Sequence, residues 1–378
     1  MSINRRHTLA TLALAGLTAL AAPAAWAAGP ITAEGLRSDK VFTSSNDTQG
    51  NSLLVYGRTA EGGLALAAQA ATGGKGTGAG LGSQGAVTLS RDGRFVFVVN
   101  AGDHTVSTFK LAGAGLQLMS TVPSGGTQPI SVTEYDGLVF VLNGGGDGNV
   151  AGFRNDYGVL KPVPGSQRGL SVAGTAGPAQ VGFNADGDAL VVTEKATNTL
   201  TSYRVNPDGS LRAPQFTASA GQTPFGFAFN ARNRLVVTEA VGGAPGASTV
   251  SSYRFNEKAP AMPKLVSAAV ADFQGAACWV AFTPMGQHAY VTNTASSNVS
   301  SYRVAPDGTL TLMQAVAGET GAGSAPIDVA AAWDGKHLYV LNAKTLTISS
   351  FKVRYDGSLA AMPMVSGLPA AAVGLAAN

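Results

Sequence analysis

The sequence has little of what stabilises or marks several common classes of protein. Cys278 is its one cysteine, so an intramolecular disulfide is excluded and packing must stabilise the fold. Charged residues make up 12% of the 378 residues, where about a quarter is usual, and this argues against long solvated helices. Because the formal net charge is only +3 and no basic stripe is present, we expect no nucleic-acid partner.

Residues that commonly bind metals or attack substrates are also scarce. Three of the four histidines lie beyond the first 27 residues, at His104, His288 and His337, and no pair has zinc-ligand spacing. The sequence contains no GxSxG motif. A formal GxGxxG match at 80–85 leads into a predicted strand, whereas a phosphate loop needs a helix behind it. We therefore expect no metal and no other cofactor.

The first 27 residues have the composition of an export signal. Arg5 and Arg6 precede an apolar run over 9–22, and Ala25-Trp26-Ala27 forms a small-residue cleavage site. These residues predict a cleaved signal and a periplasmic or secreted protein with a net charge of +1, since the segment carries two arginines and no acid. The arginine pair leaves both the general secretory and the twin-arginine route open. No later stretch reaches ~20 apolar residues, so we expect no membrane anchor.

Glycine and a repeated phrase are what the sequence has in abundance. There are 49 glycines, and VVTEKATNTLTSYRVNPDG at 191–209 has the same length as YVTNTASSNVSSYRVAPDG at 290–308. Strand-like runs that end in a polar residue recur about every 49 residues, within the range of propeller blades. We call the seven polar residues the anchor residues: Asn46, Asn100, Asn143, Glu194, Glu239, Asn293 and Asn342.

Each repeat unit predicts four short strands separated by glycine turns. The strands are rich in Val, Phe, Tyr and Thr, and Asp-Gly pairs recur at the first and third turns. The last ten residues, 369–378, match only the opening strand of a unit, so the C-terminal strand is predicted to complete the first blade. We therefore predict an all-β fold, one seven-bladed propeller over 28–378 whose ring leaves no long sheet edge exposed, and we expect a monomer.

Two anchor residues break the pattern, because Glu194 and Glu239 stand where the others are Asn. An Asn amide at this position is expected to pair with loop backbone groups, which is a scaffold role. Two carboxylates on adjacent blades would repel one another, which would raise the pKa of one and prepare it to move a proton. The alternative is that each glutamate accepts loop N–H bonds, as Asn does.

Other irregular positions are expected on the same face as candidate substrate contacts. Aligning the innermost strands on their V-x-F cores places one residue of each blade at the edge of the central channel. Gln180 and Asp328 there are suited to bind hydroxyls, and Trp279 to stack on a ring or simply to pack. The long loop 165–177 carries Arg168, a candidate clamp for a carboxylate unless it is only solvated, and Asn293 completes the predicted substrate-binding set.

The repeated phrase resembles the seven-bladed lactonase family, which includes 6-phosphogluconolactonases and carboxymuconate-lactonizing enzymes. The likeness covers most of the chain and includes QVGFNADGDALVVTEKATNTLTSYRV, TPFGFAF and AACWV. It implies metal-free opening or closing of a lactone ring by His, Glu and Arg, with Glu194 aligned near the family's acidic residue. Gly177 and Ala179 stand in the apparent His slots. Two functions therefore stay open: an exported lactonase-like enzyme acting on a sugar acid or organic acid, and a non-catalytic propeller that binds a ligand or protein.

Overall fold

The computed structural model describes residues 40–112, 115–256 and 259–378, so the predicted export signal lies outside the described residues. The described residues form seven antiparallel sheets. Six sheets have four strands, and the third has a short fifth strand at its outer edge. The inner strands of consecutive blades pack against one another around a closed ring. The prediction of a seven-bladed, all-β propeller is confirmed.

Each blade runs from the central channel outwards in chain order, except blade 1, whose inner strand is the C-terminal one. The strands of blades 1 to 3 are Val373–Ala377, Val41–Ser44, Ser52–Arg58 and Leu64–Ala71; Val87–Leu89, Phe95–Asn100, Thr105–Ala112 and Gly115–Pro123; and Thr127–Tyr135, Leu138–Gly145, Asn149–Asp156, Val159–Pro162 and Arg168–Gly169. Those of blades 4 and 5 are Pro178–Phe183, Ala189–Glu194, Thr199–Arg204 and Gln215–Ala218; and Pro224–Phe229, Arg234–Glu239, Thr249–Asn256 and Ala259–Ala271. Those of blades 6 and 7 are Ala277–Phe282, His288–Asn293, Asn298–Val304 and Leu310–Glu319; and Pro326–Ala331, His337–Asn342, Thr347–Val353 and Leu359–Ser366.

Closure of the ring is made by the pairing of Val373–Ala377 with Val41–Ser44, as predicted. The N–H of Asn378 donates to the carbonyl of Lys40 at 3.2 Å and extends this pairing by one residue. In the described part of the chain the only helical element is a 3-10 turn at Val241–Gly243, and no helix there is long and apolar enough to cross a membrane.

One aromatic residue of each third strand packs between neighbouring blades. All seven are buried, with at most 4% of their surface exposed: Tyr56, Phe109, Phe153, Tyr203, Tyr253, Tyr302 and Phe351. Three of the tyrosine hydroxyls also bond to the segment that arrives from the preceding blade; Tyr203 of blade 4, for example, donates to the carbonyl of Gly169 at 2.7 Å. The repeated aromatic position thus supplies both apolar burial and a fixed link between blades.

The propeller has two faces with different chain segments. The anchor face carries the ends of the second strands and the loops that join consecutive blades, and the turn face carries the first and third turns of the blades. Blade 1 departs from the predicted register, because Ser45, not Asn46, pairs with the start of the third strand, at 2.9 Å from Ser45 N to Ser52 O. Asn46 adopts a positive φ of 50° and holds the following loop through the carbonyl of Ala79 at 2.7 Å.

Candidate functional site

The anchor residues lie beneath the loops of the anchor face and not on an open rim. The six in register are buried, each with at most 1% of its surface exposed: Asn100, Asn143, Glu194, Glu239, Asn293 and Asn342. In three blades the Asn amide donates to a hydroxyl of the third strand, as Asn293 Nδ2 does to Ser300 Oγ at 2.7 Å and Asn342 Nδ2 to Ser349 Oγ at 2.8 Å. Buried polar groups of this kind hold loop to sheet.

Glu194 makes the corresponding contacts with the donor and acceptor roles exchanged. Its carboxylate accepts the hydroxyl of Thr201, which lies in the position of Ser300, at 2.5 Å, and the hydroxyl of Thr197 at 2.9 Å. It also accepts both the N–H of Ser171, at 3.0 Å, and the Ser171 hydroxyl, from the loop that enters blade 4. Ser171 is half-buried, so its hydroxyl connects the buried carboxylate to the surface of the anchor face.

Glu239 has its own separate set of partners. It accepts the Thr249 hydroxyl at 2.5 Å, the Gly221 N–H at 2.8 Å and the Ser219 hydroxyl at 3.3 Å. None of these groups touches Glu194. The structure therefore gives each glutamate a complete local network and does not bring the two carboxylates to a common partner. Their catalytic role stays a prediction.

The network of blade 6 also contains an acid, but it lies in the loop that enters the blade and not at the anchor position. Asp272 and Ser219 occupy equivalent loop positions, because each donates its N–H to the carbonyl of the residue just before a third strand. Asp272 donates to Ser248 at 3.3 Å, and Ser219 donates to Asn198 at 2.9 Å. Asp272 accepts the Ser300 hydroxyl at 3.3 Å, and that hydroxyl also accepts the Asn293 amide. Burial raises the pKa of Asp272 to about 6. Blade 5 therefore pairs Glu with Ser, whereas blade 6 pairs Asn with Asp.

Gln180 and Asp328 bond to the exposed edges of neighbouring inner strands. The Gln180 amide donates to the carbonyl of Phe227 at 2.9 Å and accepts its N–H at 2.7 Å. It therefore makes the two hydrogen bonds that a neighbouring strand would make with Phe227. Asp328 accepts the N–H groups of Val329 at 2.8 Å and Leu375 at 3.0 Å. It is 1% exposed, and burial raises its pKa to about 8. Both side chains are thus used between blades, and their substrate contacts stay a prediction.

Trp279 and Arg168 lie in different parts of the molecule. Trp279 is 3% exposed and packs edge-on against Phe225, with ring centroids 4.6 Å apart, while its Nε1 has no hydrogen-bond partner. Arg168 belongs to the short outer strand of blade 3, where it pairs with Val150 and donates to the carbonyls of Gln167 and Leu211. The structure therefore places Arg168 on the outer edge of blade 3, where its guanidinium bonds to two backbone carbonyls, and its role as a substrate clamp stays a prediction.

Lys195, directly after Glu194, is a functional candidate that the sequence reasoning missed. Its Nζ donates to the carbonyls of Gly82 at 2.8 Å and Pro178 at 3.2 Å, and it lies 4.6 Å from the centroid of the Phe225 ring. Burial lowers its pKa to about 8, and no carboxylate of the described residues pairs with it. A signal was available: the residues after the other in-register anchors carry no charge, being Ala101, Gly144, Ala240, Thr294 and Ala343.

The segment 79–85 covers the end of the channel on the anchor face. Gln84 donates its N–H to the carbonyl of Ala179 at 3.1 Å, and its amide crosses the channel to the carbonyl of Val280 at 3.1 Å. Gly226 permits this crossing, because a Cβ there would lie 2.5 Å from Gln84 Oε1. The segment therefore lies directly over Ala179, one of the two positions where the resemblance predicts histidine. Among the described residues, no group of three or more His, Cys, Asp or Glu is placed to hold a metal ion.

Comparisons with known proteins agree with this architecture. A family model described as lactonase, 7-bladed beta-propeller, matches residues 156–271 and 243–366, which together exceed half of the chain. No curated protein matches the chain by sequence.

Several solved structures share the fold at low sequence identity. A proposed 6-phosphogluconolactonase of Bacteroides fragilis has a TM-score of 0.70 at 20% identity, covering 92% of this chain and 99% of that one. A periplasmic gluconolactonase of Pseudomonas aeruginosa has a TM-score of 0.68 at 20% identity, covering 89% and 98%. A hypothetical selenium-binding protein of Sulfolobus tokodaii has a TM-score of 0.65 at 10% identity, covering 90% and 93%. At these identities the likeness shows the fold, and one fold hosts unrelated functions.

Proposed function

The chain belongs to the seven-bladed β-propeller lactonase family, and we propose that it opens, or in reverse forms, the lactone ring of a sugar acid or organic acid without a metal. The observation that carries this proposal is that Glu194 and Lys195 follow one another in sequence at the anchor-face end of blade 4, where their side chains bond to different groups. Glu194 is a buried carboxylate that the half-buried Ser171 hydroxyl contacts, and Lys195 is an ammonium that pairs with no carboxylate in the described part of the chain. Acyl transfer to water needs a proton acceptor and a positive group near the developing oxyanion.

The proposed step uses Ser171 as a proton relay. A water oxygen attacks the lactone carbonyl carbon while its proton passes to the Ser171 hydroxyl, whose own proton passes to Glu194. The Lys195 ammonium stabilises the carbonyl oxygen as it becomes negative. When the ring C–O bond breaks, the proton returns from Glu194 to the leaving oxygen, so that the hydroxy acid leaves and the carboxylate is regenerated. Glu239 has the same kind of network in blade 5 and is the second candidate base.

A substrate in this position takes the place of the segment 79–85. Lys195 bonds to the Gly82 carbonyl at 2.8 Å, and a substrate oxygen at the ammonium would replace this contact. A charge-assisted bond to an anionic oxygen is stronger than one to a neutral carbonyl, which favours the exchange. We also propose, from residues 1–27, that the protein is periplasmic or secreted and that it acts as a monomer on a small-molecule lactone.

The test is lactone turnover by the wild type and three variants. Gluconolactone, 6-phosphogluconolactone and an aromatic-acid lactone would be followed through the proton that each ring opening releases at neutral pH. We expect Glu194→Gln and Ser171→Ala to lower kcat by about 100-fold or more, the usual contribution of a general base. Glu239→Gln is the matched control, and loss in that variant alone would move the reaction to blade 5. Full turnover after both glutamate substitutions would refute the mechanism.

The second candidate function is a non-catalytic propeller that binds a ligand or protein. Two observations favour it: Gly177 and Ala179 stand where the family resemblance predicts histidine, and both glutamates are fully hydrogen-bonded beneath their loops. A wild-type protein that turns over none of the lactones, while saturably binding the corresponding acid, would establish this function in place of the first.

A further inference from the structure

The central channel opens on the turn face into a cavity of about 500 Å³. The inner strands of blades 7, 1 and 2 form its wall, and Gln84 and Gln180 lie at its inner end. The amides of both glutamines are already engaged, with Val280 and Phe227 respectively. Recognition of a ligand therefore has to come from the wall and the rim. The volume falls within the range of about 300–1,000 Å³ typical of small-molecule sites.

The cavity lies where two adjoining blades carry alanine at an inner-strand position that holds a larger side chain in the other five. Three inner strands place a Phe opposite the residue four before the anchor: Phe183, Phe229 and Phe282. In blades 7 and 1 the same register holds Ala331, opposite Leu338, and Ala377, opposite Val41. The preceding residues of these two strands, Ala330 and Ala376, are also small, and Leu89 of blade 2 lines the same cavity. The small side chains of blades 7 and 1 thus leave an open space on this face.

Two unlike side chains form the rim of the cavity. Arg91 and Trp333 occupy equivalent positions in the first turns of blades 2 and 7. The Trp333 ring is 49% exposed and extends over Gly93, where a Cβ would lie 3.0 Å from the ring and where φ is 68°. Both constraints favour glycine at Gly93. The position of Trp333 is therefore set by contact with the turn of another blade.

The Arg91 guanidinium lies over the ring of Tyr135, 4.2 Å from its centroid, and has no hydrogen bond or ion pair within the described ranges. Two acids lie nearby, and both have other partners: Asp92 pairs with Arg94 at 2.6 Å, and Glu134 accepts the backbone N–H groups of Arg91 at 2.8 Å and Gly137 at 2.6 Å. Stacking on an aromatic ring orients the guanidinium but leaves its N–H groups available in the ring plane. The rim thus presents a flat aromatic surface on one side and an unpaired cation on the other.

We propose that this cavity binds a small carboxylic acid built on a six-membered ring, with the ring stacked on Trp333 and the carboxylate paired with Arg91. Aromatic side chains stack on flat or apolar ring faces, and guanidinium groups pair with carboxylates through two parallel bonds. The site lies on the face opposite Glu194 and Lys195, so it is a second site, beyond the proposed function. Aromatic acids and sugar acids share this chemistry, and the test distinguishes them.

Calorimetric titration with benzoate and with glucuronate tests the site, with benzyl alcohol and glucose as uncharged counterparts. We expect at least one acid to bind saturably and at least 10-fold more tightly than its uncharged counterpart. Arg91→Gln and Ala331→Phe should each weaken that binding at least 10-fold. Phe occupies the register of Ala331 in three other blades, so this variant fills the cavity with a side chain that the fold already accommodates.

Arg232→Gln is the matched control, because Arg232 is another exposed arginine in a first turn of this face. Its binding should equal that of the wild type. Binding by benzoate alone assigns the site to aromatic acids, and binding by glucuronate alone assigns it to sugar acids. The proposal is overturned if neither acid binds, if Ala331→Phe binds as well as the wild type, or if Arg232→Gln weakens binding as much as Arg91→Gln. Lactone turnover in Ala331→Phe should be unchanged, so failure here leaves the proposed function standing.

Discussion

The two faces of the propeller depart from the repeat in opposite ways. On the anchor face two irregular acids have partners that change with them: Glu239 bonds to Ser219, and Asp272 bonds to the hydroxyl that the Asn293 amide also contacts. On the turn face Ala331 and Ala377 stand where three other blades carry Phe, and a cavity lies beside them. A break in a repeat therefore creates a pocket only where the neighbouring blade does not change with it.

The largest expected effect comes from removing a compensated acid. Glu239→Ala should lower the free energy of unfolding by about 3–5 kcal/mol, because it leaves buried donors without an acceptor and opens a cavity. Urea unfolding followed by circular dichroism measures it. Glu239→Gln keeps one acceptor oxygen and should cost clearly less. An alanine variant as stable as the wild type would show that the network contributes nothing to the fold.

Transferring the Glu and Ser pair of blade 5 into blade 6 tests whether the two positions depend on each other. Asn293→Glu alone places a second acid near Asp272 and should cost about 2 kcal/mol, and Asp272→Ser alone should also destabilise the protein. The double variant recreates the Glu and Ser pair of blade 5, so we expect a favourable coupling energy of about 1–3 kcal/mol in a double-mutant cycle. Simple additivity of the two changes would mean that the sites are independent.

On the turn face, the stability of the protein should depend on the size of the side chain at the position of Ala331 and Phe282. Phe282→Ala removes a half-buried ring and should cost about 2 kcal/mol, below the range for fully buried rings. The reciprocal change Ala331→Phe enters existing space and should alter stability by less than about 1 kcal/mol. Thermal unfolding of both variants makes the comparison. A larger cost for Ala331→Phe than for Phe282→Ala would contradict the cavity assignment.

A further expected effect is the pH dependence of stability that Lys195 contributes. Burial lowers its folded-state pKa to about 8 from 10.5, so between these two values the unfolded chain binds more protons than the folded one. Stability contributed by this group therefore rises as pH increases from 8 to 10.5. The Tm of the wild type relative to Lys195→Met should increase over this window. A constant or falling difference would show that the ammonium is not buried.

The architecture could be predicted from the sequence because each blade repeats the same strand and turn pattern. The second-strand ends, the Asp-Gly turns and the closing strand at 373–377 all follow from the repeat, and only the register at Asn46 was wrong, by one residue. The surroundings of the site could not be predicted. Arg168 lies on the outer wall because 168–169 extend an outer strand, and Glu194 is buried because the loop at Ser171 covers it. Both depend on loops that the repeat does not specify.

The small side chains that line the cavity on the turn face could have been identified from the sequence. Extending the V-x-F alignment from blades 4 to 6 to blades 7 and 1 shows Ala331 and Ala377 in place of Phe. What the alignment does not show is whether a neighbour fills the gap, since that depends on packing between blades. Lys195 was missed for a similar reason, because its burial comes from the segment 79–85, far away in sequence.

Catalysis on the anchor face, separate from the cavity on the turn face, is tested most directly by comparing kcat/KM for a sugar-acid lactone in Glu194→Gln and Ala331→Phe. We predict a loss of about 100-fold or more in the first variant and an unchanged value in the second. Full activity in Glu194→Gln together with a large loss in Ala331→Phe would place the chemistry on the turn face and contradict this prediction.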